Sequence, residues 1–338
     1  MKNFLLSISV LALISTGCKL LCTDPGDGGP LDPGHSTPTV TLTPTSTPSG
    51  SETPAPTCPY VSQWGTLGSA NGQMNQPIEL ASDTGDNIYL SDWGNNRIQV
   101  FDSNGNYLRQ WGTGGSGNGQ FNVPIGIDIT PSGTVYVVDV YNYRIQYFTT
   151  TGTYLGQWGS YGTGNGQFNT PWGVAVDGSG NVFVTDEWNN RVEKFDATGT
   201  YLGQWGSYGT GNGQFNYCVG IAVDASGNVY VSDHVNGRVQ EFTNSGVFLN
   251  SWGSTGSAPG QFNHPQGLKI DAAGRIYVAD DQNSRVQVFD SGMNFITMWG
   301  TYGSADCQFI RPTGIEVNST GDVFVSDYGN NRIEKFHP

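Results

Sequence analysis

The chain has 338 residues, only 12% of them charged, and its formal net charge at pH 7 is -14. Nucleic-acid binding draws its affinity from basic groups that neutralise phosphates, so this acidic composition argues against a nucleic-acid partner. Glycine contributes 49 residues, and no stretch of helix length shows helical periodicity, which is typical of an all-β, turn-rich protein.

The N-terminus reads MKNFLLSISVLALISTGC. Its apolar run, residues 4–14, is too short to span a bilayer comfortably but has the length of a signal-peptide core. Ser15 and Gly17 before Cys18 resemble a bacterial lipobox, which implies a signal peptide over residues 1–17 and a lipid on Cys18. The alternative is an ordinary cleaved signal peptide with an incidental cysteine. We therefore expect a lipid-anchored protein of a bacterial cell envelope, with the membrane and its side left open.

Residues 18–57 are predicted to form a disordered stalk. The part from 23 to 57 holds eight prolines among threonine, serine and glycine, and it has almost nothing to bury. Whether the stalk carries O-linked sugars stays open. The folded domain is expected to begin at residue 58.

From residue 58 onward, one unit of 47 residues occurs six times without insertion or deletion. Its least diverged pair is residues 153–169 and residues 200–216, which are identical over seventeen positions. A tryptophan recurs at Trp64, Trp111, Trp158, Trp205, Trp252 and Trp299. An aspartate recurs at Asp92, Asp139, Asp186, Asp233, Asp280 and Asp327. An arginine follows five residues later, at Arg97, Arg144, Arg191, Arg238, Arg285 and Arg332.

Within the second unit, residues 125–129, 135–139, 144–148 and 154–158 are rich in β-branched and aromatic residues and are separated by turn sequences. Four short strands joined by tight turns predict an antiparallel meander. Six such units predict a six-bladed β-propeller of four-stranded antiparallel blades over residues 58–338.

The unit that starts at Pro171, PWGVAVDGSGNVFVTDEWNNRVEKFDATGTYLGQWG, resembles an NHL repeat. Its P-x-G-[IV]-x-V-D, G-N-[VI]-[YF]-V-[ST]-D and N-N-R-[VI]-x-x-F segments carry the resemblance, which covers residues 60–337. The NHL family implies a six-bladed propeller that serves mostly as an interaction platform. A minority of its members bind RNA, sense ligands outside the membrane, or act as lyases or hydrolases with a metal in the central channel.

The last unit ends at Pro338, before any fourth strand, whereas a spare fourth strand stands at the start of the domain, at residues 60–64. We predict that this N-terminal strand closes the last blade. Deleting residues 58–66 should then lower stability sharply.

The stretch from Gly112 to Gly117 matches the G-x-G-x-x-G pattern of dinucleotide sites. Such a site needs a helix N-terminus after the glycines, but Phe121 and a strand follow here. We therefore interpret the glycines as turns that carry the chain from an outer strand to the next inner strand.

The recurring aspartates and arginines are expected to form structural ion pairs rather than to collect cations, because six charges of each sign cancel. The tryptophans are expected to pack on the outer strands rather than to stack on a ligand. Nucleophilic or zinc chemistry at Cys218, His234 and His264 has little support, since no carboxylate is placed by motif and the spacing is not that of a structural zinc site. We predict no catalytic residue, no metal and no cofactor, and leave enzymatic activity uncertain.

Four further cysteines have no assigned role. Cys22 and Cys58 flank the proline-rich part of the stalk, residues 23–57, and are able to pair. Cys218 and Cys307 lie in units that are not neighbours, so a bridge between them is not expected. The pairing of these four stays open.

Positions that differ between units are free to form a site, whereas the invariant ones build the fold. The turns between second and third strands and the crossovers between blades lie on one face of a propeller, where aromatic residues vary among polar ones. Exposed aromatics with polar neighbours suit a binding surface, with drift in tolerant turns as the alternative. The predicted binding residues are Trp93, Tyr141, Tyr143, Trp172, Trp188, Tyr217, His264, Arg311 and Tyr328.

Asp128, Lys269 and Glu316 replace small residues on the inner strands and are expected to line the channel, as a satisfied ion-pair cluster or as a catalytic site. The sequence favours a monomeric binding platform for a protein or glycan partner in the envelope. The alternative is a metal-assisted, calcium-type lyase or hydrolase with Asp128 and Glu316 as ligands, and a purely structural role is the third hypothesis.

Overall fold

The β-branched and aromatic segments of each unit form strands of five or six residues, and the glycine-rich segments between them turn the chain. The computed structural model describes residues 58–338. The predicted signal peptide, the lipidated Cys18 and the stalk lie outside the described residues. Within 58–338, no helix is long and apolar enough to cross a membrane.

The strands have the following bounds. Blade 1 contains β2 (Pro77–Ser82), β3 (Ile88–Asp92), β4 (Arg97–Phe101) and β5 (Tyr107–Trp111). Blade 2 contains β6 (Pro124–Ile129), β7 (Thr134–Asp139), β8 (Arg144–Thr149) and β9 (Tyr154–Trp158). Blade 3 contains β10 (Pro171–Val176), β11 (Val182–Asp186), β12 (Arg191–Phe195) and β13 (Tyr201–Trp205). Blade 4 contains β14 (Cys218–Val223), β15 (Val229–Asp233), β16 (Arg238–Phe242) and β17 (Phe248–Trp252).

Blade 5 contains β18 (Pro265–Ile270), β19 (Ile276–Asp280), β20 (Arg285–Phe289) and β21 (Phe295–Trp299). Blade 6 contains β24 (Pro312–Val317), β25 (Val323–Asp327), β26 (Arg332–Phe336) and the N-terminal β1 (Tyr60–Trp64). A short parallel pair, β22 (Thr301–Tyr302) and β23 (Gln308–Phe309), lies in the crossover into blade 6. Four second-to-third turns are 3₁₀ helices, Trp93–Asn95, Val140–Asn142, Glu187–Asn189 and Asp281–Asn283.

The predicted fold is confirmed: every blade is a four-stranded antiparallel sheet with its strands in meander order. The predicted closure of the ring is confirmed as well. β1 pairs antiparallel with β26, with Tyr60 opposite Phe336 and Trp64 opposite Ile333. The first and last strands of the domain therefore share one sheet, which leaves no open seam between blades 6 and 1.

A disulfide reinforces this closure. Cys58 stands just before β1 and is bonded to Cys307 in the crossover into blade 6, with Cα atoms 6.4 Å apart. The structure therefore differs from the pairing of Cys22 with Cys58 that the stalk suggested. Cys218 is a free, buried thiol, so no bridge joins it to Cys307. The sequence separation hid the pairing, because closing the ring is what brings the two ends together.

The hydrophobic core lies between neighbouring blades, where side chains of the inner and middle strands pack together with a phenylalanine of the crossover. Phe121, in the crossover into blade 2, is fully buried and lies 5.7 Å from the ring of Phe148. Trp111 ends the outer strand of blade 1 and packs over Gly152 of blade 2, where an added Cβ would lie 2.7 Å from the indole. Gly152 has a φ of +85°, so a side chain there would meet both a strained backbone and a ring. The repeated glycines thus allow the blades to stack.

Candidate functional site

The second-to-third turns and the crossovers lie side by side on one face of the ring, which we call the loop face. In blade 3, the Asn189 side chain donates from Nδ2 to the carbonyl oxygen of Gly162 in the preceding crossover, at 2.9 Å. The same amide donates to Asp186 at 2.7 Å. Equivalent bonds recur in the other blades, so each turn is bonded to the crossover beside it.

Beneath each pair of loops, an aspartate and an arginine form a buried ion pair. In blade 3, Arg191 Nε lies 2.9 Å from Asp186 Oδ2, and its Nη2 donates to the carbonyl oxygens of Gly164 and Gln167. Burial raises the pKa of Asp186, and hydrogen bonds from Asn189, the Asn169 backbone and Arg191 oppose that rise. The ion pairs are Asp92–Arg97, Asp139–Arg144, Asp186–Arg191, Asp233–Arg238, Asp280–Arg285 and Asp327–Arg332.

These pairs hold the loops and leave no ring of free carboxylates. Every aspartate of the ring is fully buried and bonded within its own blade. Breaking a buried pair costs about 3–5 kcal/mol, because one charge is left without a partner. The loops are therefore rigid supports for whatever side chains they carry.

Three of the predicted binding residues are built into the packing between blades 5, 6 and 1. The rings of Trp93 and Tyr328 stack with centroids 5.7 Å apart. The Arg311 guanidinium lies over Tyr328 at 5.2 Å and is paired with the buried Asp281 at 3.1 Å. A fourth predicted residue, Trp172 on β10 of blade 3, is half-buried against the hydrophobic cluster that contains Tyr328. These side chains mainly pack beneath the surface of the loop face and support it.

Three others are free to contact a partner. Tyr141, Trp188 and Tyr217 are 45%, 59% and 37% exposed. The rings of Trp188 and Tyr217 lie 6.3 Å apart across the boundary between blades 3 and 4. Their counterparts in other units include Gly94, Val123 and other non-aromatic residues, so the fold does not require aromatic rings at these positions.

The loop face also carries exposed tyrosines that the sequence analysis missed. Tyr161, Tyr208 and Tyr302 occupy one position of the crossovers and are 64%, 71% and 75% exposed. The same position holds Leu67, Gly114 and Thr255 in the other units, so comparison of the units would have found it. It was missed because the whole glycine-rich phrase was interpreted as turn structure. Tyr143, a predicted residue, packs edge-on against Tyr161 at 4.9 Å.

The two histidines of blades 4 and 5 do come together, with ring centroids 4.7 Å apart. Burial, followed by the neighbouring His264, lowers the pKa of His234 to about 4, so its ring is neutral at physiological pH. His234 Nδ1 lies 3.2 Å from the carbonyl oxygen of Pro265, and His264 Nδ1 lies 2.8 Å from Asn263 Oδ1. Cys218 is buried with its Sγ 3.3 Å from the Arg191 carbonyl, and burial raises its pKa. A buried thiol with a raised pKa is a poor nucleophile.

The central channel brings together the three predicted ionisable residues. Lys269 Nζ lies 2.8 Å from Glu316 Oε2 and 3.5 Å from Asp128 Oδ1. Burial alone would lower the pKa of Lys269, but Glu316 and Asp128 outweigh it and hold that pKa above its usual value. Ser82 Oγ donates to Glu316 Oε1 at 2.8 Å, and the Val176 backbone N–H donates to Asp128 at 2.8 Å. The ammonium group thus occupies the position between the two carboxylates that a bound cation would take.

Glu79 is a fourth ionisable residue of the channel, and the sequence analysis missed it. Five inner strands have glycine at this position, whereas blade 1 has Glu79. The glycines allow close packing, since an added Cβ at Gly173 would lie 2.5 Å from a neighbouring backbone oxygen. Its carboxyl extends past blade 6 as far as blade 5, since a Cβ on Gly267 of blade 5 would lie 3.0 Å from Glu79 Oε1. Burial raises the pKa of Glu79 to about 8, so the group is largely protonated at neutral pH. Comparison of the units could have identified Glu79, because it replaces a glycine that the other five units share.

A cavity of about 230 Å³ lies in the channel and is lined by Glu79, Asp128 and Lys269 among small and aliphatic residues of the inner strands. Its lining includes Pro131 and Gly178 of the first-to-second turns, so it lies toward the face opposite the loop face. Within residues 58–338, no group of three or more histidine, cysteine, aspartate or glutamate side chains is arranged to hold a metal ion.

Comparison with known proteins agrees with this architecture. A model of a 6-bladed beta-propeller matches residues 74–158, and the NHL repeat model matches residues 168–195, 215–242, 262–289 and 309–336. The fold therefore places the chain in the class of six-bladed β-propellers. The chain contains four NHL repeats, as the motifs of its units indicated. No curated protein matches it by sequence.

Solved structures share the fold at low sequence identity. A protein of unknown function from Bacteroides thetaiotaomicron has a TM-score of 0.64 at 15% identity, covering 82% of this chain and 76% of that one. A gluconolactonase from Xanthomonas campestris has a TM-score of 0.59 at 13% identity, covering 79% and 88%. A catalytically inactive virginiamycin B lyase from Staphylococcus aureus, solved with quinupristin, has a TM-score of 0.57 at 15% identity, covering 81% and 88%. These likenesses establish the fold alone.

Proposed function

We propose that the propeller is an interaction domain that binds a protein or glycan partner on its loop face. The observation that carries this proposal is the exposure of Tyr141, Trp188 and Tyr217 on loops whose backbone is held rigidly. Large aromatic side chains give contact area at little conformational cost, and they are enriched at the centres of binding surfaces. Because other units dispense with these rings, packing does not account for them.

We further propose that the domain works at a bacterial cell envelope, anchored through a lipid on Cys18 and raised by a stalk of residues 18–57. The support is the sequence MKNFLLSISVLALISTGC and the proline-rich composition that follows it. An exposed loop face on a tethered domain is well placed to reach a partner fixed in the same envelope. The domain acts as a monomer in this proposal.

A metal-assisted lyase or hydrolase in the channel is the second candidate. Its support is the cavity of about 230 Å³ with Glu79 and Asp128 in its wall, together with the lyase and lactonase propellers among the structural likenesses. Lys269 weakens it, because a metal held by Asp128 and Glu316 would have to displace an ammonium group already bonded to both. If calcium raises the melting temperature and Asp128→Ala abolishes that effect, this candidate takes precedence.

A capture experiment tests the loop face. Residues 58–338, whose ring is closed within itself, are immobilised and exposed to solubilised envelope proteins and glycans of the source cells. The variant Tyr141→Ala/Trp188→Ala/Tyr217→Ala should lose the captured component. The control Leu155→Ala/Leu202→Ala removes similarly exposed apolar side chains from the outer strands and should retain it. Capture by the triple variant at the level of the parent would show that these three aromatics do not form the binding site.

A further inference from the structure

We propose that the loop face of blades 3 and 4 binds an uncharged polysaccharide. This inference rests on the proposed function and names the ligand class of the same face. The site comprises two crossovers, residues 159–170 and 206–217, and the blade 3 turn that lies between them. We call it the tyrosine sector.

The two crossovers have the same sequence except for their last residues, Thr170 and Tyr217. They belong to the segments 153–169 and 200–216, which are identical in sequence. Each is bonded to its turn in the same way: Asn189 Nδ2 donates to Gly162 O and Asn236 Nδ2 donates to Gly209 O, both at 2.9 Å. Tyr161 and Tyr208 therefore stand at equivalent positions one blade apart, on loops that cannot readily rearrange.

An aromatic pair links the two crossovers. The Trp188 backbone N–H donates to the carbonyl oxygen of Asn169, at the end of the first crossover, at 3.2 Å. Its indole ring lies 6.3 Å from that of Tyr217, at the end of the second crossover. The Trp188 residue thus contacts the end of the first crossover through its backbone and the end of the second through its ring. Tyr217 holds a left-handed backbone at φ 63°, as do its counterparts in the other units, so this conformation belongs to the crossover rather than to the tyrosine.

The tyrosine sector carries almost no charge, although the chain has a net charge of -14. Neither crossover contains an acidic or basic residue. The adjoining Glu187 is half-buried and has no ionic partner. Its burial, and to a lesser extent the negative charge of Asp186, raises its pKa to about 8. A charged polymer would find no counter-charge here, whereas an uncharged ligand does not need one.

Aromatic side chains suit a sugar ring chemically. A pyranose has an apolar C–H face and a rim of hydroxyl groups. Tyr161, Tyr208 and Trp188 offer an apolar face beside polar tips, and the loops around them supply serine, threonine and asparagine. A ligand that repeats its own unit can place one unit on each copy of the loop. A folded protein has no such reason to meet two identical surfaces, so repetition favours a polymer.

Binding is measured with the domain, residues 58–338, by affinity electrophoresis. The probes are three uncharged polymers (β-1,3-glucan, α-mannan and dextran), the uncharged polysaccharide fraction of the source envelope, and alginate as a charged polymer. We expect retardation by at least one uncharged polymer and none by alginate. Tyr161→Ala/Trp188→Ala/Tyr208→Ala should weaken that binding at least roughly tenfold, as loss of central aromatic contacts does. Tyr302→Ala removes an equally exposed tyrosine from the same loop position outside the sector and should change nothing.

Two further readouts are specific to the repetition. Tyr161→Ala and Tyr208→Ala, made singly, should each weaken binding, because each crossover contributes its own tyrosine. Oligosaccharides long enough to span both loops should bind more tightly than short ones. No retardation by any uncharged polymer, or unchanged binding in the triple variant, would overturn the inference. Capture of an envelope protein that survives periodate treatment and is lost in the triple variant would overturn it too, while leaving the proposed function standing.

Discussion

The disulfide between Cys58 and Cys307 should be a main source of this domain's stability. It joins residues 249 apart in sequence, at the two ends of the ring. A crosslink that closes a loop of this length reduces the entropy of the unfolded chain by an amount worth about 5 kcal/mol at 25 °C. Because pairing of β1 with β26 still closes the ring without it, we expect Cys307→Ser to lower the free energy of unfolding by about 3–5 kcal/mol.

Urea denaturation of the oxidised protein, followed by tryptophan fluorescence, measures this loss. Cys58→Ser, Cys307→Ser and the double variant should unfold at the same urea concentration, since each removes the same bond. The parent protein with reductant should coincide with all three. Cys22→Ser is the matched control in the full-length chain and should leave the transition in place. An unchanged transition for Cys307→Ser, or a loss of stability for Cys22→Ser, would refute the assignment.

Three further predictions concern the ring, its ion pairs and the channel. Deleting residues 58–66 removes both the disulfide and β1, and should lower the melting temperature more than Cys58→Ser does; an equal shift would mean that β1 pairing contributes nothing. Asp139→Ala leaves the buried Arg144 without its partner and should cost about 3–5 kcal/mol in urea unfolding, and Asp139→Ala/Arg144→Met should recover part of that loss. Folded Glu79 keeps its proton up to a pKa of about 8, whereas the unfolded side chain releases it near 4.5, so stability is lost as pH rises between these values. Each tenfold difference in proton affinity between the folded and unfolded chain is worth about 1.4 kcal/mol, and local relaxation reduces the total. Between about pH 5 and pH 9, the free energy of unfolding of Glu79→Gln should therefore rise by about 2–4 kcal/mol relative to that of the parent. Parallel pH profiles of the two proteins in urea unfolding would contradict the placement of this carboxyl.

The repeat could be interpreted from sequence because its signals are local. Strand periodicity, turn residues and the 47-residue spacing act within one unit, and six copies of the same signal reinforce one another. The strands of the second unit begin and end within one residue of their predicted bounds. Closure by residues 60–64 was predictable for the same reason, since counting strands leaves one spare at the start and one missing at the end.

Whether each predicted binding residue is buried or exposed could not be predicted in this way. Trp93 and Trp188 occupy neighbouring positions of the same turn in different units, and only contact with Tyr328 of the adjoining blade makes one part of the packing and leaves the other exposed. The exposed Tyr161 lies in a glycine-rich segment whose sequence indicates only turns.

Sequence by itself determined the six blades, their strands and their closure. Only the tertiary structure decided which aromatics reach solvent, how Lys269 pairs across the channel, where Glu79 extends, and that Cys58 meets Cys307. The physical reason is the same for all four. Hydrogen bonding within a blade depends on residues close in sequence, whereas contacts between blades and across the channel join residues that only the closed ring brings together.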